Sequence, residues 1–367
     1  MTQPPSNADL SGDLDHGLSL PASWFTDPAI VEREYERIFH RTWQYFCRAE
    51  QLTSVGDFAA GMAGRIPVVV VRNDQGLQGF VNVCRHRRHL VMSGCGSRKS
   101  MQCPYHAWTY GLDGRLKSAP RCEGDSAFKK EDFPLLPARV ETWGPVVFVN
   151  ADMAARPLAT YLGELPQIIA GCGLDLNQLK FHTREEWRAG ANWKVMLENY
   201  LECYHCAVAH PGFSSVIDVD EDAYILKAFD WFCSQYAPVR ASAPAGIGKN
   251  PAYDARGVVT QSQYHFLWPN LTISINPGHP NVSLDLWLPD GPDCTHGVTE
   301  QFFGPDVPAD WAEQMVAFNK QVGDEDDALT NAVQVGMKSG VPRQGRFLTS
   351  AEKLPIHFER LVLAALT

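Results

Sequence analysis

Two short segments in the first third of the chain each carry one cysteine and one histidine. Cys84-x-His86 lies in VNVCRHRRHL, and Cys103-x-x-His106 lies in MQCPYHAW. Two thiolates and two imidazoles can hold a [2Fe–2S] cluster, with the cysteines on one iron and the histidines on the other. A zinc site uses the same ligand types, but zinc fingers place the two cysteines together and the two histidines together. Here each segment supplies one of each, so the pattern favours two loop tips that close over an iron–sulfur cluster.

A second group of metal-ligating residue types follows about a hundred residues later, in NWKVMLENYLECYHCAVAHPGF. Glu198, Glu202 and His205 have the spacing i, i+4 and i+7, which predicts one shared helix face. His210 lies off that face, but the Pro-Gly pair after it predicts that the helix ends or distorts there. Such a distortion would turn both imidazoles toward one point. Two histidines and one carboxylate on one side of Fe(II) leave positions open for O2; the simpler interpretation is an amphipathic helix with ordinary histidines.

The third ligand of such a site must come from elsewhere in the chain. The segment VGDEDDALTNAVQVG is the best source, because it is rich in acidic residues. Acidic runs at helix starts also serve simply to complement the helix dipole. Spacing does not choose among the candidate carboxylates, which are Asp324, Glu325, Asp326, Asp327 and the more distant Asp306.

Length and charge narrow the class of protein. A chain of 367 residues suits two domains. A net charge of -10, without a concentrated basic face, argues against nucleic-acid binding. The polar, Pro- and Ser-rich N-terminus predicts a loose tail rather than a signal peptide. The apolar runs are too short to span a bilayer, so we expect no membrane partner and a cytoplasmic protein.

The cysteines are interpreted on the expectation of a cytoplasmic, reducing environment. Ten cysteines in a reducing environment do not predict a disulfide framework. Cys203 and Cys206 form a C-x-x-C pair that is typical of some redox sites. Because we expect this segment to be helical, the sequence favours packing for both side chains.

The N-terminal half of the chain reads as a helix followed by strands. Apolar periodicity predicts a helix over 28–48 with Asp27 as its N-cap. Short β-branched segments bounded by turns predict that about 45–155 form a small all-β domain. These strand segments are 68–72, 79–83 and 146–150.

The C-terminal half predicts a helix over 157–174, then a second set of strands, then two helices at 311–338 and 350–366. An Ala-, Pro- and Gly-rich segment at 237–257 predicts a mobile loop or lid over a site. The predicted strands are 231–236, 264–268, 271–276, 283–288 and 297–303.

Taken together, the segments CRHR, CPYHAW, NWKVMLENYLECYHCAVAH and EDDALTNAVQVG resemble the oxygenase α subunits of Rieske-type non-haem iron oxygenases. Their order and separations match from about Asp27 to Leu366. The resemblance implies an α+β fold, in which an all-β Rieske [2Fe–2S] domain precedes a helix-grip catalytic domain whose antiparallel sheet wraps a long helix. We therefore expect an N-terminal tail and helix at 1–44, the Rieske domain at 45–155 and the mononuclear-iron domain at 156–367.

The resemblance also assigns the cluster ligands and a bridge. Where the family often has glycine after C-x-H-R, this chain has Arg88, a departure that concerns the shape or docking surface of the loop. The family's acidic bridge, three residues before the first iron histidine, falls on Glu202, where many ring-hydroxylating members carry aspartate. The implied cluster ligands are Cys84, His86, Cys103 and His106.

For the mononuclear iron, the resemblance implies His205, His210 and Asp326. Asp326 is chosen because the family pattern E-D-x-x-L-x-x-x-V-Q falls on 325–334. Asp324 and Asp327 remain alternatives. The chain completes neither a dinucleotide fingerprint nor a P-loop, so the resemblance implies that a separate flavin and iron–sulfur reductase delivers electrons from NAD(P)H. Family members commonly form homotrimers, in which the cluster of one subunit serves the iron of its neighbour.

The substrate class is predicted from similarity to one subgroup of this family. The glutamate bridge and the segment ENYLECYHCAVAH are most similar to oxygenases of quaternary ammonium compounds such as carnitine, stachydrine and glycine betaine. We expect a terminal oxygenase that uses O2 to hydroxylate or N-demethylate a small betaine-like molecule. Hydroxylation of an aromatic acid ring is one alternative, with Arg240 or Arg256 as carboxylate partner. A non-catalytic Rieske electron carrier and a zinc-stapled binding protein are alternatives of other classes.

Aromatic residues in the catalytic half offer a surface for a quaternary ammonium group, which binds to ring faces and diffuse negative charge. Core packing is the simpler interpretation for each of them. The residues are Phe229, Trp231, Phe232, Tyr236, Tyr264, Phe266, Trp268 and Trp287.

Overall fold

The computed structural model describes residues 7–241 and 252–367. The chain forms two compact units, one made of Tyr35–Tyr161 and the other of residues 7–34 together with Leu162–Thr367. The predicted domain boundaries lie instead at 44/45 and 155/156. Part of the predicted lid at 237–257, namely residues 242–251, lies outside the described residues.

Residues Asn7–Asp15 are helical, although a loose tail was predicted for the N-terminus. Leu10 and Leu14 of the first helix are buried, because the spacing i, i+4 puts both on one face. The Asp27 carboxylate accepts the Ala29 N–H at 2.8 Å and so caps the third helix as predicted. The helices are α1 (Asn7–Asp15), α2 (Ser23–Thr26) and α3 (Pro28–Glu34), and a π-helical turn (Tyr35–Phe39) follows.

The unit Tyr35–Tyr161 is built from short antiparallel strands. The predicted helix over 28–48 was wrong at its C-terminal end, since residues Gln44–Arg48 are the first strand. The strands are β1 (Gln44–Arg48), β2 (Asp57–Ala63), β3 (Ile66–Asn73), β4 (Gly76–Val81), β5 (Cys95–Ser97), β6 (Met101–Gln102), β7 (Thr109–Tyr110), β8 (Leu116–Ser118), β9 (Pro137–Trp143) and β10 (Val146–Asn150). They form a seven-stranded sheet in the order β1-β10-β9-β4-β3-β2-β5 and a three-stranded sheet β6-β7-β8.

Strand β3 explains how this unit supports its loops. Successive side chains of a strand point to opposite faces. Val68 and Val70 pack into one apolar cluster, and Val69 and Val71 into another, and all four are fully buried. The cluster that contains Val69 and Val71 also holds both cysteines of the predicted cluster site. The apolar run therefore serves as a two-sided core strand that also supports these loops.

The second unit pairs a seven-stranded antiparallel sheet with helices, which confirms the predicted α+β class. Its strands follow the order β11-β17-β16-β15-β14-β13-β12. The first half of the 30-residue helix α9 packs on the sheet through Trp311, Met315 and Phe318. Helix α4 (Leu158–Leu162) spans the boundary between the units in the chain. The elements that follow it are α5 (Leu165–Gly171), β11 (Lys180–Ala189), α6 (Trp193–Tyr200), α7 (Cys206–Ala209), α8 (Pro211–Val216), β12 (Ile225–Ala228), β13 (Phe232–Pro238), β14 (Gln261–Leu267), β15 (Leu271–Ile275), β16 (Asn281–Pro289), β17 (Thr295–Phe303), α9 (Ala309–Lys338) and α10 (Lys353–Leu366).

Across residues 7–241 and 252–367, none of the helices combines the length and the apolar character that a bilayer span requires.

A buried ion pair joins the N-terminal helices to the catalytic unit. Lys194 of α6 contacts Glu34 of α3, and both side chains are fully buried. The second oxygen of Glu34 accepts the indole N–H of Trp193 at 2.8 Å. The ammonium group also lies 5.1 Å from the centre of the Phe25 ring. Each charge is therefore compensated locally, which a buried ion pair requires.

We expect Lys194→Met to destabilise the protein by roughly 3–5 kcal/mol, because it leaves the Glu34 carboxylate buried without a cation. Urea unfolding followed by tryptophan fluorescence measures the change. Lys338→Met is the matched control: Lys338 pairs with Asp293 on the surface, with the two side chains 49% and 44% exposed. The control should cost less than about 1 kcal/mol. Equal losses in the two variants would contradict the role assigned to the buried pair.

Candidate metal centres

The two loops that carry the predicted cluster ligands have the same backbone geometry. In each loop the cysteine N–H donates to the carbonyl five residues on, at 2.8 Å from Cys84 and 2.9 Å from Cys103. The carbonyl of each cysteine accepts the N–H four residues on, at 3.0 Å in both loops. That fourth residue is left-handed in both, with φ 58° at Arg88 and φ 57° at Ala107. The two loops are therefore a matched pair.

The left-handed backbone explains the family's glycine after C-x-H-R. Glycine adopts positive φ without steric cost, whereas other L-residues pay roughly 1–2 kcal/mol. Arg88 keeps this conformation, so its substitution for glycine preserves the loop shape. Its side chain is exposed, so the departure changes the charge of the surface beside the cluster site.

The four predicted cluster ligands differ in solvent exposure. Cys84 and Cys103 are each 2% exposed, whereas His86 and His106 are exposed. The two imidazole centres lie 4.6 Å apart. His86 also stacks on the Trp108 ring at 4.9 Å. Cysteines inside and histidines outside match a cluster whose one iron is buried and whose other iron faces solvent.

The chemistry of this donor set fits an iron–sulfur cluster. Burial raises the pKa of the Cys103 thiol, so a thiolate there needs a bound cation to be stable. The Tyr110 hydroxyl lies 3.4 Å from Cys84 Sγ and accepts the Arg85 N–H at 3.0 Å. With its acceptor site used by Arg85, this hydroxyl is free to donate its proton to sulfur. Hydrogen bonds of this kind tune the potential of such clusters.

The second site brings three predicted ligands to one point. His210 Nε2 lies 3.1 Å from His205 Nε2 and 3.0 Å from Asp326 Oδ1. His205 Nε2 lies 3.4 Å from the same oxygen. One ligand atom from each residue falls within a group no more than 4.8 Å across. This is the donor set of two imidazoles and one carboxylate that suits Fe(II) with open positions.

The backbone reaches this geometry without the continuous helix that was predicted. Helix α6 ends at Tyr200, and a turn separates it from the four-residue helix α7. His210, with φ −119° and ψ 74°, interrupts the helical conformation between α7 and α8, and Pro211 begins α8. The predicted interruption at His210 is present. The shared helix face was wrong, because the chain has already left the helix between Glu198 and His205.

Glu198 does not join the metal site. Burial and the nearby carboxyl of Glu359 raise its pKa well above the usual range. Burial also raises the pKa of Glu359, to about 7. The two groups are therefore a buried carboxyl pair between α6 and α10.

A carboxylate holds each imidazole from the side away from the metal position. His205 Nδ1 donates to Glu202, whose other oxygen accepts the backbone N–H of His205 at 3.2 Å. His210 Nδ1 donates to Glu325 at 2.7 Å, and Gln321 donates to the second oxygen of Glu325 at 3.0 Å. These bonds place the proton on Nδ1 and leave each Nε2 lone pair for a metal. Glu325 was considered only as a ligand, and the structure gives it this supporting position instead.

The remaining acidic candidates lie elsewhere. Asp324 forms an ion pair with Lys320 at 2.7 Å. Asp327 borders the same cavity but is not part of the ligand group. Asp306 is exposed in the turn before α9. Asp326 is thus the carboxylate that the structure brings to the two histidines.

The charge balance of the site favours a cation. Burial lowers the pKa of His205, but hydrogen bonds to Asp326 and Glu202 outweigh it and raise the value to about 9. For His210, burial is likewise outweighed by Asp326 and Glu325, so its pKa is also raised. Three carboxylates surround two imidazoles, and a divalent cation between them would satisfy that negative charge.

Helix α6 and helix α9 are fixed to each other near the site. The Asn192 side chain accepts the Lys194 N–H at 3.0 Å and caps α6. Its backbone N–H donates to Gln334 of α9 at 2.9 Å. Gln334 lies about two helical turns beyond Asp326. This contact holds the chain that carries both histidines in register with the helix that carries the carboxylate.

Cys203 directly follows Glu202, and Cys206 directly follows His205. The structure joins the two cysteines in a disulfide. They also lie in an apolar cluster with Phe213 and Tyr264. The predicted packing role is correct for their surroundings, but the two sulfurs are bonded to each other, whereas the sequence did not predict a disulfide framework.

The candidate iron ligands face a cavity of about 300 Å³. Of the aromatic residues singled out by sequence, Tyr264 and Trp287 line it, while Phe232, Phe266 and Trp268 are buried in the core. Sequence reasoning missed other residues of the wall, because nothing in their spacing distinguishes a cavity face from a core face. These include Trp187, Tyr200, Tyr224, Asp285 and Thr299.

Comparison with known proteins defines the class. Residues 42–139 match the Rieske [2Fe–2S] domain, and residues 176–367 match the catalytic domain of the ring-hydroxylating alpha subunit. The chain belongs to this family and is a Rieske non-haem iron oxygenase, with a Rieske [2Fe–2S] cluster and a mononuclear iron as its cofactors. A purely electron-carrying or zinc-stapled protein does not fit this membership.

Among relatives, the chain is 30% identical to the carnitine monooxygenase oxygenase subunit of Acinetobacter pittii, over 96% of each chain. It is 28% identical to the chloroplastic choline monooxygenase of Atriplex hortensis, over 97% of this chain and 81% of the relative. The structure of the quaternary ammonium Rieske monooxygenase CntA in complex with its substrate L-carnitine matches with a TM-score of 0.83 and 27% identity, over 100% of both chains.

Cys103→Ser should abolish the visible absorption of the cluster, because a serine hydroxyl is a poor substitute for the thiolate on iron. Absorption and electron paramagnetic resonance spectra of the reduced protein measure the loss. Cys95→Ser is the control, since Cys95 is an exposed free cysteine outside the four ligands. An unchanged spectrum for Cys103→Ser would remove Cys103 from the cluster.

His210→Ala should leave the cluster spectrum intact but lower iron from about three to about two atoms per chain, since a [2Fe–2S] cluster accounts for two. Elemental analysis with acid-labile sulfide measures both. His296→Ala is the control, because His296 lies on β17 outside the ligand group. Full iron content in His210→Ala would show that His210 is not a ligand.

Proposed function

We propose that this protein is the terminal oxygenase component of a Rieske-type monooxygenase that hydroxylates a small quaternary ammonium substrate of the betaine type. Relatives that carry the names carnitine monooxygenase and choline monooxygenase support this class of substrate. Loss of formaldehyde follows when an N-methyl carbon is hydroxylated. Attack on the neighbouring N–CH2 carbon instead releases a tertiary amine and an aldehyde.

One observation carries the proposal: the cavity beside the candidate iron ligands is acidic and aromatic. Among the described residues, the arginine and the lysine that line it are already paired, Arg188 with Asp290 and Lys320 with Asp324. An aromatic acid would need a cation for its carboxylate. Its proposed partners Arg240 and Arg256 are ion-paired with carboxylates as well, at 3.2 and 2.6 Å. A cationic substrate needs no such partner.

Each metal centre has its own candidate ligands in this chain. We assign Cys84, His86, Cys103 and His106 to the cluster, and His205, His210 and Asp326 to the mononuclear iron. When bound, the cluster would supply electrons and the iron would activate O2. The overall reaction consumes the substrate, O2, two electrons and two protons, and yields the hydroxylated substrate and one water.

The residues around the iron ligands perform the supporting work. Glu202 and Glu325 hold the imidazole rings and keep their protons on Nδ1. The aromatic wall excludes water and positions the substrate beside the ligand group. Substrate placement by a rigid wall decides which C–H bond is oxidised.

We also propose a homotrimer in which Glu202 accepts hydrogen bonds from His205 and from a cluster histidine of the neighbouring subunit. The exposure of His86 and His106 supports this arrangement, because both are available at the surface of their unit. A separate flavin and iron–sulfur reductase would deliver electrons from NAD(P)H. We place the reaction in the cytoplasm, where NAD(P)H is available.

A substrate screen tests the proposal. The purified protein, a flavin and iron–sulfur reductase, NADH and O2 are combined with choline, L-carnitine, γ-butyrobetaine, glycine betaine, stachydrine or benzoate. We expect substrate-dependent NADH consumption with formaldehyde or tertiary amine from at least one ammonium compound, and none with His210→Ala. Ring-hydroxylated benzoate, with no product from any ammonium compound, would replace the proposal with the aromatic-acid alternative.

A further inference from the structure

One carboxylate in the cavity wall has no part in the metal site. Asp285 lies on β16 with Ser283 and Trp287 two residues to either side, so all three share one face of the sheet. In the register of the sheet Asp285 is opposite Thr299 of β17, and Thr299 is opposite Glu185 of β11. All five residues line the cavity. The sheet therefore presents a row of polar groups to the substrate space.

The Asp285 carboxylate is held by hydroxyl groups alone. Thr299 Oγ1 donates to Oδ1 at 2.6 Å, and Ser283 Oγ donates to Oδ2 at 3.4 Å. In the part of the chain that the structure describes, no lysine, arginine or histidine forms an ion pair with it. Burial raises the pKa of Asp285 to about 6, and a cation bound beside the carboxylate would favour its ionised form. A partly buried negative charge without a cation is costly unless a ligand supplies one.

Two indole rings stand beside this carboxylate. The rings of Trp187 and Trp287 meet edge to face with their centres 5.1 Å apart. Trp187 crosses β17 at Gly297, where a Cβ atom would lie 2.0 Å from the ring. Glycine is therefore required beneath that ring. Because Gly297 of β17 has no side chain, the Trp187 ring of β11 can extend across β17 and contact Trp287 of β16.

Hydrogen bonds fix both rings in place. Trp187 Nε1 donates to Thr299 Oγ1 at 3.0 Å, and Trp287 Nε1 donates to Thr272 Oγ1 at 3.0 Å. Because Thr299 accepts from the indole, its own hydroxyl proton is left for Asp285. Ring and carboxylate are thus held by the same threonine, and their relative position is set before any ligand binds.

A quaternary ammonium group is recognised by this kind of surface. It has no N–H to donate, so it binds through aromatic faces and through a nearby negative charge. We propose that Asp285, flanked by Trp187 and Trp287, is the counter-ion for the ammonium head of the substrate and selects it over uncharged molecules of the same shape. The inference rests on the proposed function, and it adds the residues that determine substrate class.

Binding of choline and of its uncharged isostere 3,3-dimethylbutan-1-ol tests the role. Isothermal titration under anaerobic, electron-free conditions gives both affinities for the full iron-loaded protein without turnover. Wild type should prefer choline. Asp285→Asn should weaken choline binding at least tenfold and leave the isostere within about threefold, because only the charge interaction is removed.

Glu185→Gln is the matched control. It removes the same charge from an exposed side chain of the same cavity, and the preference for choline over the isostere should stay within about twofold of wild type. Should Asp285→Asn fail to fold, Trp287→Leu keeps an apolar wall without the ring face, and its preference for choline should fall at least threefold.

The outcomes separate the two proposals. If wild type binds choline and Asp285→Asn keeps the same preference over the isostere, the counter-ion role is overturned and the proposed function stands. An equal loss in Glu185→Gln also overturns it, because general cavity charge would then explain selectivity. If wild type binds none of the five ammonium compounds of the substrate screen, both the substrate class and this inference fall together.

Discussion

The candidate iron site depends on carboxylates that hold each imidazole at Nδ1. Without Glu202 and Glu325, the two rings would be free to rotate, and neither Nε2 would be committed to a metal. With them, two Nε2 atoms and one Asp326 oxygen fall within a few ångströms of one another. The electrostatic consequence is general: negative charge gathered around two imidazoles makes the position attractive to a divalent cation and raises the pKa of His205 and His210.

Packing makes this geometry reproducible. The histidines and Asp326 are separated by more than a hundred residues, and His210 and Asp326 by 116. The backbone N–H of Asn192 at the start of α6 donates to Gln334 of α9, which holds the two helices together. Lys194 of α6 is in turn paired with Glu34 of α3 in the protein interior. Such buried polar contacts contribute little net stability, yet breaking one partner is expensive. They are well suited to fixing the relative position of two helices.

The same surplus of negative charge extends from the metal site into the cavity. Among the described residues, the lysine and arginine side chains that line the cavity are already paired with aspartates, whereas the side-chain hydrogen bonds to the Asp285 carboxylate come from two hydroxyl groups. A cavity with this balance favours positive ligands over anions of similar size. The proposed metal position and the proposed counter-ion at Asp285 thus lie in the same acidic and aromatic cavity.

Candidate site residues could be predicted from the sequence where metal-ligating residue types lie close together in short motifs. The candidate cluster ligands could be predicted because Cys-x-His and Cys-x-x-His pairs serve few other purposes, and Arg88 could be noted as a departure from the family pattern. The structure shows why that departure is tolerated, since the left-handed backbone at φ 58° is kept. The supporting role of Glu325 could not be predicted from the sequence. Neighbouring acidic residues on a helix project in different directions, and the sequence does not show which of them faces the histidines. The helical N-terminus and the broken helix before His205 were missed because both depend on what packs against them.

The amino-acid sequence by itself determined the family, the two-part α+β organisation and the set of candidate ligands, since these depend on residue types at short, fixed spacings. Only the tertiary structure decided which acidic side chain joins the histidines, which ones steady the rings and which one remains for a ligand. The physical reason is that these choices depend on distances between residues far apart in the chain. Asp285, Trp187 and Thr299 become a single surface only when β11, β17 and β16 lie side by side.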